Sequence, residues 1–310
     1  MKKLLIVVFA LIALVAVLGF LLPAEQKIIH SVVVDCPVEA PTRLVSNPAK
    51  WSAWWPGAKL NDTAYTSGQT LFRIQKVLLN GFQSHTQRGS LRGSVDFNFF
   101  MAASGGTQFN INGAYQLSSN PFKRVLEYIS LTDTKNTLRN FIQQIEANFS
   151  DVEKVYGFNI QRKQLVHTAY ISLKQPFDHQ PSVTEIDSLV QELKQYIAAQ
   201  QGREMDAPIM NVYPGETSAF EAMVAIATDR ELPSTNRFLL KNMVRNGYVM
   251  VAETKGGPQL IDSCKKELEN YVLDYRKSSP AIPFQQMITD RVKEKDSSKW
   301  ITKLFYPVRN

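Results

Sequence analysis

The four histidines, His30, His85, His167 and His179, are spread along the chain at spacings that fit no metal site, and no H-E-x-x-H segment or closely spaced cysteine pair supplies one. No G-x-S-x-G elbow presents a serine nucleophile, and no glycine-rich loop is built to cradle a phosphate. A lone strand histidine such as His167 is more often a hydrogen-bonded structural residue than a catalyst. Cys36 and Cys264 fall in different predicted domains, and Cys264 lies on the apolar face of a helix, so both read as buried thiols rather than a disulfide. The chemistry left is that of binding. Trp51, Trp54 and Trp55 form one aromatic cluster, and Gln285 sits two residues before Met287 on a short strand. A glutamine both donates and accepts hydrogen bonds but neither carries charge nor takes a proton. No catalytic residue, metal ligand or cofactor site is therefore assigned, and enzymatic activity is left open.

The elements that must position these residues begin with an anchor. Leu4 to Leu22 is an apolar run without a charge, and Lys2 and Lys3 precede it. Roughly 20 such residues at 1.5 Å rise cross a bilayer core of about 30 Å. The basic flank places the N-terminus in the cytoplasm and the bulk of the chain outside the cell membrane, as a single-pass protein. The alternative is export after signal-peptide cleavage, but signal h-regions are usually about 7–15 residues, shorter than this run. The chain carries 35 basic and 28 acidic residues, a net of +7, with no basic run or stripe and no helix-turn-helix segment. Nucleic acid is accordingly not expected as a partner. The membrane and a small hydrophobic ligand are, and a protein partner is left unknown.

Lys27 to Asp35 reads as a strand, and Asn47-Pro48 as a helix start ended by Pro56-Gly57. Strands at Leu71–Leu79 and Gln83–Gln87 flank Asn80-Gly81, a hairpin signal that places positive φ at both residues. Val95, Phe97 and Phe99 alternate with polar residues, as do Phe109, Ile111 and Tyr115, giving two half-buried antiparallel strands. Leu138, Phe141, Ile142, Ile145 and Phe149 then repeat at helical spacing, with Asp133 or Thr134 as the expected cap. This order, with the segment PVEAPTRLVSNPAKWSAWWPG, resembles the START-like (SRPBCC, polyketide cyclase) superfamily over residues 25–152. The resemblance implies a helix-grip fold around an apolar cavity, with Trp51, Trp55, Phe97 and Phe109 as candidate lining. The other reading of these rings is ordinary core.

From about Val155 a second unit begins. A strand is expected at Val166–Leu173, a capping box at Ser182-Val183-Thr184-Glu185, and an apolar helical stripe from Ile186 to Ile197. Strands follow at Pro208–Tyr213 and Phe220–Ala227, and the pattern then recurs from Gly247. Tyr196-Ile197 aligns with Tyr271-Val272 and Pro208 with Pro283, both at an offset of 75 residues, which argues for a duplicated β-α-β-β unit. That duplication, with TKGGP before the second helix and KWITKLFYPV at the end, resembles the GyrI-like effector-binding domain over residues 153–310. The resemblance implies a pseudo-symmetric sheet with a small-molecule cleft between the repeats, faced by Tyr170, Met210, Val212, Gln285 and Met287. That family usually carries a P-x-E-x-Y pattern on its next-to-last strand. Here Gln285 stands at the Glu position and Met287 at the Tyr position.

The expected architecture is thus α+β. It comprises an N-terminal transmembrane helix (1–24), a START-like domain (25–152) and a duplicated GyrI-like domain (153–310). The expected function is membrane-anchored binding of a hydrophobic or neutral small molecule, for sensing or sequestering. A hydrolase or cyclase acting on a small hydrophobic substrate, and an interaction module with collapsed pockets, are the alternatives.

Overall fold

The apolar run folds as helix α1 (Lys2–Leu21), with a mean hydropathy of 3.3 and nearly every side chain exposed. By length and composition α1 fits either a membrane span or a signal sequence. The computed structural model describes residues 2–216, 218–243 and 247–309, and the chain divides into two units, Met1–Val155 and Tyr156–Asn310.

In the first unit the chain continues through β1 (Glu25–Val34), α2 (Glu39–Val45) and a 3-10 turn over Pro48–Ala53, which starts where the Asn47 side chain accepts from Ala49 N at 3.1 Å. Then come β2 (Ala58–Lys59), β3 (Ala64–Ser67), β4 (Thr70–Leu78), β5 (Gly81–Arg88), β6 (Leu91–Met101), β7 (Thr107–Gln116) and helix α3 (Pro121–Phe149). The strands form one antiparallel sheet in the order β1-β7-β6-β5-β4-β3-β2. Helix α3 packs on β1, β6 and β7, and buries Leu138, Phe141, Ile145 and Phe149 toward them.

Two local expectations are corrected here. The β4–β5 turn has Leu79-Asn80 at its centre, because Leu78 pairs with Gly81, and among the non-glycine described residues only Gln201 and Arg276 have positive φ. Gly81 is needed for close approach instead, since a Cβ there would lie 2.0 Å from Phe97 O. Helix α3 also starts well before Asp133. Asn120 caps it by accepting from Phe122 N and Lys123 N, and Pro121 takes the first helical position. Thr134 is buried inside the helix and donates to Ser130 O at 2.8 Å. The early turns were hidden from periodicity because Phe122, Leu126 and Ile129 are exposed, while Glu127 is buried and accepts from Ser118 N at 2.7 Å. These same turns hold the end of α1. A Cβ on Gly19 would meet Pro121 O at 2.2 Å, and Arg124 Nη1 donates to Leu22 O at 3.1 Å.

After the short helix α4 (Val152–Tyr156), the second unit runs β8 (Ile160–Gln164), β9 (Ala169–Phe177), α5 (Val183–Ala199), β10 (Ile209–Tyr213) and β11 (Phe220–Ala227). It continues with β12 (Leu239–Asn242), β13 (Tyr248–Lys255), α6 (Pro258–Asp274), β14 (Phe284–Met287), a 3-10 turn over Ser297–Lys299, and β15 (Ile301–Val308). The strand expected at Val166–Leu173 starts later, as β9 at Ala169, with Val166 exposed before it; β8, which was not expected, is a polar edge strand whose only apolar cue is Ile160.

The eight-stranded antiparallel sheet has the order β12-β9-β11-β10-β14-β15-β13-β8. From its centre outward the order is β10, β11, β9 on one side and β14, β15, β13 on the other, so the repeat in sequence is a repeat in space. Helices α5 and α6 begin and end 75 residues apart, as their bounds Val183–Ala199 and Pro258–Asp274 show. Their C-terminal turns match as well. Gln201 (φ 55°) and Arg276 (φ 51°) are both left-handed, and Gly202 N and Lys277 N return to Ile197 O and Val272 O at 2.9 Å. A non-glycine residue in this conformation is strained by about 1–2 kcal/mol. Replacing exposed Gln201 by Gly relieves that strain at a cost of about 0.5–1 kcal/mol in backbone freedom. Gln201→Gly should therefore raise the unfolding free energy by about 0.5 kcal/mol in chemical denaturation of the full chain. A loss of stability would contradict the strained turn.

Candidate functional site

In the second unit α5 lies on β9 and β11, and α6 on β13 and β15, leaving the central pair β10 and β14 between them. Met210 pairs with Gln285 across that seam, and residues two apart on a strand share a face, so Met210, Val212, Gln285 and Met287 point to one side. Above the seam is a cleft of about 440 Å³. Its apolar wall is made by Ile186 and Val190 of α5, Ile261 of α6, Met210, Met287 and Trp300. The duplication places equivalent residues on both walls, for Ile186 and Asp187 stand 75 residues before Ile261 and Asp262. A smaller recess of about 110 Å³ adjoins the same strands and is lined in part by Met210, Val212, Gln285 and Leu268.

Ten of the 23 described residues lining the cleft are polar or charged. Gln285 Oε1 is buried without a hydrogen-bond partner in the protein. Arg291, in the loop between β14 and β15, donates from Nη2 to Thr302 Oγ1 at 3.0 Å, and its guanidinium lies 5.0 Å from the centroid of the Trp300 ring. Its Nε is buried and has no partner, and burial pulls the guanidinium pKa below its ordinary value. Asp290 accepts from Val292 N and Lys293 N, both at 3.1 Å, and these bonds with the Lys293 ammonium hold its carboxyl below the usual range. Lys194 pairs with Glu204 at 3.2 Å. Trp300 is fixed by its Nε1, which donates to Glu294 O at 2.9 Å. The described lining includes no histidine, cysteine or glutamate.

Of the residues singled out in the sequence, Met210, Gln285 and Met287 line the cleft, and Val212 lines only the smaller recess. Tyr170 does not face either and is corrected. It clusters with Ile209, Ala225, Ala227 and Phe284, whereas its strand neighbours Ile171 and Leu173 pack in the cluster that holds α5 and Met210. The one-residue alternation of the pleat puts Tyr170 on the other face of the sheet, where burial and the Asp206 carboxylate push its hydroxyl up to about 12.

In the first unit Trp51, Trp55, Phe97 and Phe109 sit inside a close-packed aromatic core. Trp51 and Trp55 stack with centroids 5.7 Å apart, Trp55 meets Phe141 edge-on at 5.0 Å, and Phe97 lies 6.0 Å from Phe109. Each indole N–H has a backbone acceptor: Trp51 to Val45 O, Trp54 to Leu44 O and Trp55 to Thr66 O. Rings satisfied and packed in this way act as core, and none of them lines either recess described above.

Sequence reasoning missed Arg291 and Trp300, which lie on and beyond an irregular loop where no periodicity marks an inward side chain. It also passed over Asp187 and Asp262, though the 75-residue offset that revealed the duplication relates them.

No family model matches the chain, and no curated protein matches it. Among solved structures, the EcmrR C-terminal domain is 12% identical, with 49% of this chain and 98% of that one covered and a TM-score of 0.42. A hydrolase from Listeria innocua is 10% identical, with 49% and 92% covered and a TM-score of 0.38. The di-domain ARO/CYC BexL from the BE-7585A biosynthetic pathway is 10% identical, with 91% and 84% covered and a TM-score of 0.32. Likeness at this level assigns no activity, and the function is argued from the cleft.

Proposed function

We propose that the second unit is a small-molecule-binding module of the GyrI-like kind, carried on a START-like first unit and tethered to the membrane through α1. It senses or sequesters a largely apolar molecule held between α5 and α6. The observation that carries this reading is the cleft of about 440 Å³, with Ile186, Val190 and Ile261 on its walls and Gln285 and Arg291 among its polar lining. Binding sites for small organic molecules have this size, about 300–1,000 Å³.

Calorimetric titration of the full chain in nanodiscs with 2-naphthamide tests the site. Gln285→Ala should weaken binding by about 1 kcal/mol, the net worth of one hydrogen bond. Tyr170→Phe, on the other face of the sheet, should leave binding unchanged. The reverse pattern would move the site, and hydrolysis of a naphthyl ester abolished by Gln285→Ala would make the module an enzyme.

The tether has its own test. The chain should stay with membranes after a carbonate wash, and a reporter active only outside the cytoplasm should be active when fused to its C-terminus. Release into the soluble fraction would mean that α1 is a cleaved signal sequence, and a silent reporter would reverse the orientation.

A further inference from the structure

Arg291 is a charged group for which the protein around it supplies no counter-charge. Its Nε is buried with no hydrogen-bond partner, only Nη2 is engaged, on the neutral Thr302 hydroxyl, and the guanidinium faces the Trp300 ring. No ion pair to it occurs among the described residues. Other arginines of the same unit are satisfied differently: Arg237 grips Glu192 through two bonds of 2.8 Å, and Arg203 meets Asp229 at 3.2 Å. A guanidinium drawn out of water without a carboxylate is costly, and that cost is offset when an anionic oxygen arrives. The planar guanidinium is suited to a carboxylate in particular.

The second unpaired group of the cleft, the Gln285 amide, fits the same ligand. As placed its Oε1 would oppose a carboxylate, and exchange of its oxygen and nitrogen offers the donor that a carboxylate needs without changing shape. The remaining charges of the lining limit how much negative charge can enter. Lys194 is taken by Glu204 and Asp290 is held by Lys293, which leaves Asp187, bonded only to Gln191, and the exposed Asp262 on the two helical walls. Two carboxylates along the walls oppose a phosphate or a dicarboxylate, so one negative charge at the Arg291 end is the arrangement they tolerate.

Building on the proposed ligand-binding reading, we propose that the cleft takes a monocarboxylic acid with an apolar body. The carboxylate rests on the Arg291 guanidinium, and the body lies between Ile186, Val190, Ile261 and Met287.

Three shape-matched probes test this on the full chain in nanodiscs: 2-naphthoate, 2-naphthamide and 2-naphthylmethylamine. Calorimetry should show the acid binding at least tenfold tighter than the amide, and the amine weakest. Arg291→Gln should remove the acid's advantage while leaving the amide within about twofold, and Arg291→Lys should retain part of that advantage. Circular dichroism of both variants verifies that the fold is kept, and the wild-type comparison stands even if a variant fails to fold. Equal binding of acid and amide, or tighter binding of the amine, would overturn this inference while leaving the binding reading intact. No binding of any probe would count against both.

Discussion

The second unit depends on the pairing of two short strands. β10 and β14 meet through Ile209 with Gln286 and Met210 with Gln285, and this pairing joins two four-strand halves into one sheet. The seam is reinforced where Gln286 Nε2 donates to Ala207 O at 3.2 Å and Met287 N to Pro208 O at 2.9 Å. Because each half brings its own helix, and each helix packs on the outer strands of its half, the seam is left without a helical cover of its own. The cleft is thus a consequence of duplication. Two copies of a unit that covers its outer strands leave a trough where their inner strands join, and substitutions on those strands fill it with chemistry.

Duplication also explains why the trough is asymmetric. Equivalent positions hold Met210 in one half and Gln285 in the other, so the same place in the repeat contributes a polarizable thioether on one side and an amide on the other. The walls stay matched, with isoleucine and aspartate at equivalent positions of both helices. The distinctive groups, Arg291 and Trp300, come from the stretch between β14 and β15, which is longer than its counterpart between β10 and β11. In the proposed binding, the matched Ile186 and Ile261 hold the body of the ligand and the unmatched loop reads its end.

Much of the fold was legible because its signals are local. The Ser182 capping box forms with Glu185 as the spacing required, and β11 runs from Phe220 to Ala227 as its apolar pattern indicated. The reading failed where tertiary contacts override local pattern. The first turns of α3 expose Leu126 and bury Glu127, an inversion that makes sense only with Ser118 and the end of α1 in place. The β4–β5 turn slipped by one residue because Gly81 answers to the approach of Phe97 O on the neighbouring strand, which no local rule contains. Tyr170 illustrates the same limit at the site, for a strand's alternation gives two faces without saying which one meets the helices. Trp51 and Trp55 were legible as a cluster, but their role as core rests on the carbonyls that satisfy their N–H groups.

The trough over β10 and β14 is proposed as the place where this protein meets a small molecule. Hydrogen–deuterium exchange of the full chain in nanodiscs, with and without saturating 2-naphthoate, addresses it directly. Slowed exchange is expected in the first turns of α5 and α6 and through the segment from Gln285 to Val292, with the aromatic core of the first unit unchanged. Protection confined to the first unit, or none around Gln285 and Arg291 despite measurable binding, would contradict it.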